Sequence, residues 1–246
     1  MGTRLIEEAS VSSLKSTTFL LLVIGELQAV RNKDAMMSGR KLLIMSKLYY
    51  EKLVLGDLAT NCYIVWEKET KEAVIIDPAD DGVGIADEIQ RLHLIPKMVA
   101  VTHGHFDHAL AGLDVKLIFN IPFGCSCKDK FLLDRQDKTV EHFLGAREAP
   151  PNFKEVDIDL NQIDEIKLGK EKIKIIKTPG HTPGGVCFYH QDTGILITGD
   201  LIGGDTRHKY SSITDMTLNM AKLKELPLET LVLPGHDDEF ELAAVF

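Results

Sequence analysis

From Tyr49 onward the chain reads as short apolar runs broken by turn residues, with helical spacing appearing between them. Tyr50–Leu55, Cys62–Trp66 and Ala73–Asp77 are rich in β-branched and aromatic residues and read as strands. The first two are joined by residues 56–61, Gly-Asp-Leu-Ala-Thr-Asn, a stretch with turn chemistry. Val83, Ile85, Ala86, Ile89 and Leu92 give residues 83–93 a helical period. Lys97–Val101 follows Pro96 as a short buried strand, and Ala109–Leu113 looks like the start of a helix. Between 119 and 165 the pattern weakens, with Pro122, Gly124, Pro150 and Pro151 punctuating charged helical text. Strands resume at Ile163–Leu168, Ile173–Ile176, Val186–His190 and Ile195–Ile197, the last two flanking the turn Gln191-Asp192-Thr193-Gly194. A helix over Asp215–Leu226 and a strand at Leu231–Leu233 complete the pattern. Strands followed by helices, twice over, imply two sheets packed together with helices outside.

Residues 1–44 do not share this regularity. Phe19–Ile24 is an apolar run with Arg4 and Lys15 upstream, but it ends at Gly25-Glu26 with no small-residue cleavage site behind it. It is far shorter than the roughly 20 apolar residues of a membrane span. The expected organisation is an N-terminal extension over 1–44, poorly ordered or a short helix and dispensable for catalysis, ahead of one domain over 45–246.

Composition narrows the partners. Hydrophobic residues at 44% and charged residues at 26% are those of an ordinary soluble globular protein. The net charge of −9, from 28 basic and 37 acidic residues, argues against a nucleic-acid surface. Cys62, Cys125, Cys127 and Cys187 lack paired-knuckle spacing, which fits a reducing, cytoplasmic setting with no membrane partner. Cys125-Ser126-Cys127 reads as structural rather than as a redox pair or soft metal site.

The densest chemistry lies at Thr102-His103-Gly104-His105-Phe106-Asp107-His108. Imidazole nitrogen and carboxylate oxygen suit zinc and similar divalent ions. The ligands sit on a loop at the carboxyl end of a strand, where α/β folds commonly place their sites. His103 and His105 can reach one ion, while Asp107 and His108 point to a neighbouring position. His93, His142 and His190 read as a helix end, a solvated helix face and a surface turn. Arg207, His208 and Tyr210 lie in a loop able to approach the site, though each reads as a solvated residue.

This motif resembles the His-x-His-x-Asp-His signature of the metallo-β-lactamase superfamily. Three further segments match in order: Pro179-Gly180-His181-Thr182-Pro183-Gly184, Thr198-Gly199-Asp200 and Leu233-Pro234-Gly235-His236. The resemblance covers about residues 49–240 and implies the αββα four-layer sandwich. It further implies that His103, His105 and His181 hold a first metal, and that Asp107, His108 and His236 hold a second. Asp200 would bridge the two, and Asp107 and Asp200 would be the catalytic carboxylates. The implied cofactors are two divalent ions, zinc first, with iron or manganese as alternatives.

Two such ions sharing a water lower its pKa toward about 7 and supply hydroxide without a protein base. The set lacks the glutamate of flavo-diiron relatives and the cysteine that some true β-lactamases carry in place of Asp200. Both departures point to a glyoxalase II-like hydrolase of a small thioester or ester. Against glyoxalase II itself, the chain stops ten residues after His236, without that enzyme's C-terminal helical domain. The alternative is a persulfide dioxygenase-like enzyme using one iron. Intact ligands weigh against a non-catalytic protein with a relic site.

Overall fold

The computed structural model describes residues 47–145, 151–204 and 208–246. The segment 1–44, expected as an extension, lies outside them. Twelve strands and six helices are present among the described residues. The first half runs β1 (Leu48–Leu55), β2 (Thr60–Glu67), β3 (Glu72–Ile76), α1 (Gly82–Arg91), β4 (Ile95–Ala100), α2 (Phe106–Ala109), α3 (Gly112–Phe119), β5 (Phe123–Cys125), α4 (Lys130–Leu133), α5 (Gln136–Leu144) and β6 (Ile158–Asp159). The second half runs β7 (Glu165–Leu168), β8 (Glu171–Lys177), β9 (Val186–His190), β10 (Ile195–Gly199), α6 (Ile213–Leu223), β11 (Leu231–Pro234) and β12 (Phe240–Glu241).

The strands form two six-stranded mixed sheets, ordered β1-β2-β3-β4-β5-β6 and β12-β11-β10-β9-β8-β7. Parallel neighbours need a crossover, and helices supply it. α1 links β3 to β4, α2 and α3 link β4 to β5, and α6 links β10 to β11.

Alternation along each strand explains the layers. Tyr63 and Val65 of β2, Val74 and Ile76 of β3, and Met98 and Ala100 of β4 face Ile175, Phe188, Ile197 and Leu233 of the other sheet. The intervening residues Cys62, Ile64, Ala73, Ile75 and Val99 face outward against Ile85 and Ile89 of α1 and Val115 of α3. On the far side Cys187, Tyr189, Leu196 and Val232 pack under Leu223 of α6 and Leu242. Central strands buried on both faces lose the polar alternation of half-buried ones, which is why they read as continuous apolar runs. The result is the four-layer αββα sandwich.

Two expectations change. His190 was expected at the surface but is buried, with Nδ1 2.8 Å from Thr193 Oγ1 and Nε2 3.1 Å from Glu171 Oε2. Pairing of β9 with β8 brings Glu171 to it. The weakly patterned 119–165 segment contributes β5 and β6 to the first sheet besides its helices. Strands of three and two residues are too short to display a period.

The carboxyl ends of β3, β4, β10 and β11 share one edge of the sandwich. Gly199 at the end of β10 has φ +49°, and a Cβ there would sit 2.7 Å from Thr102 Cβ. Only glycine lets the two sheets approach so closely at this corner. No helix among the described residues is long and apolar enough to cross a membrane.

Phe188 is 1% exposed in the core between the sheets. Phe188→Ala is expected to lower the stability of the metal-free protein by about 3–5 kcal/mol, the range for large-to-small changes in a packed interior. Urea denaturation with an unchanged m-value checks it, and a loss below about 1 kcal/mol would contradict this packing.

Candidate metal centre

All seven residues of the expected site converge at that shared edge. His103 and His105 follow β4, and Asp107 and His108 lie on the single turn of α2. His181 is on the loop between β8 and β9, Asp200 follows β10, and His236 follows β11. His103 Nε2 and His181 Nε2 each lie 3.0 Å from His105 Nδ1. His236 Nε2 is 3.4 Å, and His108 Nε2 3.6 Å, from Asp107 Oδ2. Asp200 stands between these groups. Its Oδ2 is 3.6 Å from His181 Nε2, while its Oδ1 is 3.3 Å from His108 Nε2 and 3.6 Å from His236 Nε2.

Buried hydrogen bonds fix how these rings point. Asp77, at the end of β3 with φ +52°, accepts from Thr102 N at 2.6 Å and from Thr102 Oγ1 at 2.7 Å. The same carboxylate accepts from His108 Nδ1 at 2.9 Å, turning Nε2 toward Asp200. Thr102 Oγ1 has given its hydrogen to Asp77, so it accepts from His103 Nδ1 at 3.0 Å. His236 Nδ1 donates to the Leu58 carbonyl at 3.1 Å. In each case the outer partner sets the tautomer and presents Nε2 inward, as around metal-binding imidazoles. Asp77 therefore orients one imidazole directly and a second through Thr102.

Other supports were not legible in the sequence. Asp129 accepts from Gly104 N at 3.0 Å, Thr182 Oγ1 at 2.6 Å and Gly184 N at 2.7 Å, so it clasps the His103–His105 loop to the His181 loop. Gly104 is needed for the close approach that this clasp makes. Its φ is not positive, and a Cβ would lie 2.8 Å from the Asp129 carbonyl oxygen. Asn61 Nδ2 donates to the carbonyls of Pro234 and Asp237 at 3.0 and 2.9 Å, and Tyr63 OH to Pro234 at 2.7 Å, anchoring the His236 loop to β2.

The remaining candidates separate. His93 and His142 are exposed and away from the cluster. Arg207 lies outside the described residues. His208 packs its ring against His105 and His181, with centroids 4.9 and 4.7 Å away. Tyr210 packs on Phe131 and accepts from Arg135 Nη1 at 3.2 Å. None of the four cysteines is in a disulfide, and Cys62, Cys125 and Cys187 are buried.

Charge divides the cluster in two. Burial, then neighbouring imidazoles, hold His103 well below the ordinary histidine range. Burial followed by His181 pushes His105 down to about 3, and burial outweighs Asp200 to bring His181 to about 4. Around His108 burial also opposes the charge, but Asp200, Asp107 and Asp77 together hold its imidazole well above the usual range. A hydrogen bond to Asp107 raises His236 as well. Burial disfavours ionised Asp200, yet His108 outweighs it and keeps the carboxyl below the usual range.

The donor set fits divalent metal ions. His108 Nε2 and Asp200 Oδ1 are buried with no hydrogen-bond partner, an arrangement that costs free energy until a cation fills it. The groups His103/His105/His181 and Asp107/His108/His236 each bring one donor atom per residue within 4.8 Å of the others. Two such His/Asp clusters sharing one wall are consistent with a dinuclear site.

Comparison with known proteins agrees with this geometry. The chain matches the model of the metallo-beta-lactamase superfamily over residues 55–236, and it belongs to that superfamily. It is 33% identical to the hydroxyacylglutathione hydrolase GloC of Haemophilus influenzae, over 72% of this chain and 84% of that protein. Among solved structures it resembles TTHA1623 in a di-iron-bound form, with TM-score 0.69 and 26% identity over 78% of this chain and 95% of that one. It also resembles the BLEG-1 B3 metallo-beta-lactamase, with TM-score 0.70 and 28% identity over 79% and 95%. The class is that of a metallo-hydrolase of this superfamily.

The divided charge predicts where protons sit in the metal-free protein. At pH 7 the raised His108 is an imidazolium, while the lowered His103, His105 and His181 are neutral. Because a ligand imidazole must be neutral, a metal bound at His108 would have to displace its proton, and affinity at that position is expected to fall as pH is lowered. Imidazole nitrogen NMR before and after metal addition reads this directly. A neutral His108 in the metal-free protein at pH 7 would contradict it.

Proposed function

We propose that this protein is a cytoplasmic dinuclear hydrolase of small thioesters or esters. The first ion is held by His103, His105 and His181 and the second by Asp107, His108 and His236, with Asp200 bridging. Zinc is the first choice of metal, with iron or manganese as alternatives. The observation that carries the reading is Asp200 itself. One oxygen faces His181 while the other faces His108 and His236, as a carboxylate shared by two ions requires.

Two divalent ions in these positions would activate a shared water and polarise a carbonyl oxygen. The chain's own contribution is orientation and protection. Asp77 and the Leu58 carbonyl hold His108 and His236 in the tautomer that directs Nε2 inward. Thr60 Oγ1 donates to Asp107 Oδ2 at 3.2 Å and steadies the second catalytic carboxylate. His208, packed on the first triplet, flanks the place where a substrate would enter.

Charge supports a small substrate. The chain's net charge of −9 repels a long polyanion, which needs an extended basic surface to bind. Within the cluster two divalent ions outweigh Asp107 and Asp200, so a small anionic acyl compound is admitted. A thiolate also departs with little need for protonation, which suits a site whose carboxylates and imidazoles are committed to metal. The name of the Haemophilus influenzae relative, a hydroxyacylglutathione hydrolase, agrees with a thioester.

Side-by-side kinetics on S-lactoylglutathione, a simple aryl ester, a cephalosporin and a structured RNA test this reading. Turnover of the thioester or ester is expected to exceed the other two. A cephalosporin or RNA turned over well above both esters would overturn it, and oxygen uptake with a persulfide at one iron per chain would favour the dioxygenase instead.

A further inference from the structure

The ligands assigned to the first metal come from two loops only. His103 and His105 flank Gly104 on one, and His181 is followed by Thr182 and Gly184 on the other. One buried side chain reaches both. Asp129 Oδ2 accepts from Gly104 N at 3.0 Å and from Thr182 Oγ1 at 2.6 Å, and its Oδ1 accepts from Gly184 N at 2.7 Å. The residues assigned to the second metal take their anchors elsewhere: Asp77 holds His108, and Leu58 and Asn61 hold His236 and its loop.

Asp129 is itself held by the 119–165 segment, which matched none of the superfamily motifs. It ends a single 3-10 turn, Cys127–Asp129. Ser126 Oγ caps that turn by accepting from Lys128 N at 3.2 Å, and Asp159 of β6 accepts from Cys127 N at 3.1 Å. The short strands β5 and β6 thus aim one carboxylate at the metal edge. Burial pushes its carboxyl up, and Thr182 and the two amides offset only part of that. Burying a carboxylate is unfavourable unless its bonds compensate, and here all three bonds end on the loops that carry the first triplet. The fit has no slack. A Cβ on Gly184 would sit 2.6 Å from Asp129 Cγ, and one on Gly104 would sit 2.8 Å from Asp129 Cβ.

We propose that Asp129 is a positioning residue for the first metal: by tying the His103–His105 loop to the His181 loop, it sets the affinity of that position and not of the second. The proposal rests on the metal assignment of the hydrolase reading above and adds the residue that preorganises one of its two positions. Ligands already held together need not be ordered as the ion binds, so loosening the clasp lowers affinity without removing a ligand.

The test is zinc titration of the metal-free full chain against a competing chelator. Imidazole nitrogen NMR separates the positions, with His103, His105 and His181 reporting the first and His108 and His236 the second. Asp129→Asn keeps the size of the side chain but turns one accepting oxygen into a donor. Thr182 Oγ1 can rotate to accept from it, whereas Gly104 N or Gly184 N is left facing an N–H. First-position affinity is expected to fall about 10–100-fold, the effect of losing an outer partner, while second-position affinity is retained. Gly184→Ala wedges the same clasp open and should give the same selective loss, and the two changes together should lose less than their sum. Thr182→Val removes one bond of the three and should give a smaller selective loss, so it carries the test if the other variants do not fold. Both positions weakened alike, as a general loss of stability would produce, overturns the proposal. So does a first position that is unchanged, or one that takes no zinc in the unmodified chain. An unmodified chain that shows the selective pattern and binds zinc at both positions, yet turns over neither S-lactoylglutathione nor an aryl ester, would refute the hydrolase reading and keep the clasp.

Discussion

A single buried carboxylate organises the edge on which everything else is assembled. Asp77 bonds the backbone and hydroxyl of Thr102 and the Nδ1 of His108, so it fixes the strand end that carries the first histidines and the ring that serves the second position. Its own backbone N–H donates to Ala100 O at 3.0 Å, locking β3 to β4 where both strands stop. A buried carboxylate stripped of these donors would be costly, and the donors without it would lose their orientation. Orientation and stability therefore come from the same bonds.

The consequence is an asymmetric pair of donor groups. Three imidazoles crowded together in a buried space resist protonation, whereas His108, ringed by Asp77, Asp107 and Asp200, keeps its proton. Under the proposed assignment, the first position is ready for metal at neutral pH and the second exchanges a proton for it. Asp200 faces both groups, so its geometry links two otherwise different sites.

The donors were legible in the sequence because their chemistry is dense and each segment follows a strand-like run. Seven side chains named from four motifs meet at one edge of the sandwich. The two-sheet architecture was legible for the same reason: runs such as Ala73–Ile76 and Val186–Tyr189 are apolar on both faces. What could not be read depends on register across the fold. Asp129 lies far from both loops it joins in the chain, and no local spacing signals that Gly104 N and Gly184 N will reach it. His190 looked like a turn residue until pairing of β8 with β9 supplied Glu171. β5 and β6 are held by neighbours rather than by a period of their own.

The central claim is that Asp200 joins two ions in one centre. The most direct measurement is the metal-to-protein ratio of the purified full chain and of Asp200→Ala, by elemental analysis after exhaustive dialysis. The account predicts a ratio near two for the unmodified chain and loss of metal from both positions in the variant. A ratio near one at saturating metal, or a variant that keeps both ions, would contradict it.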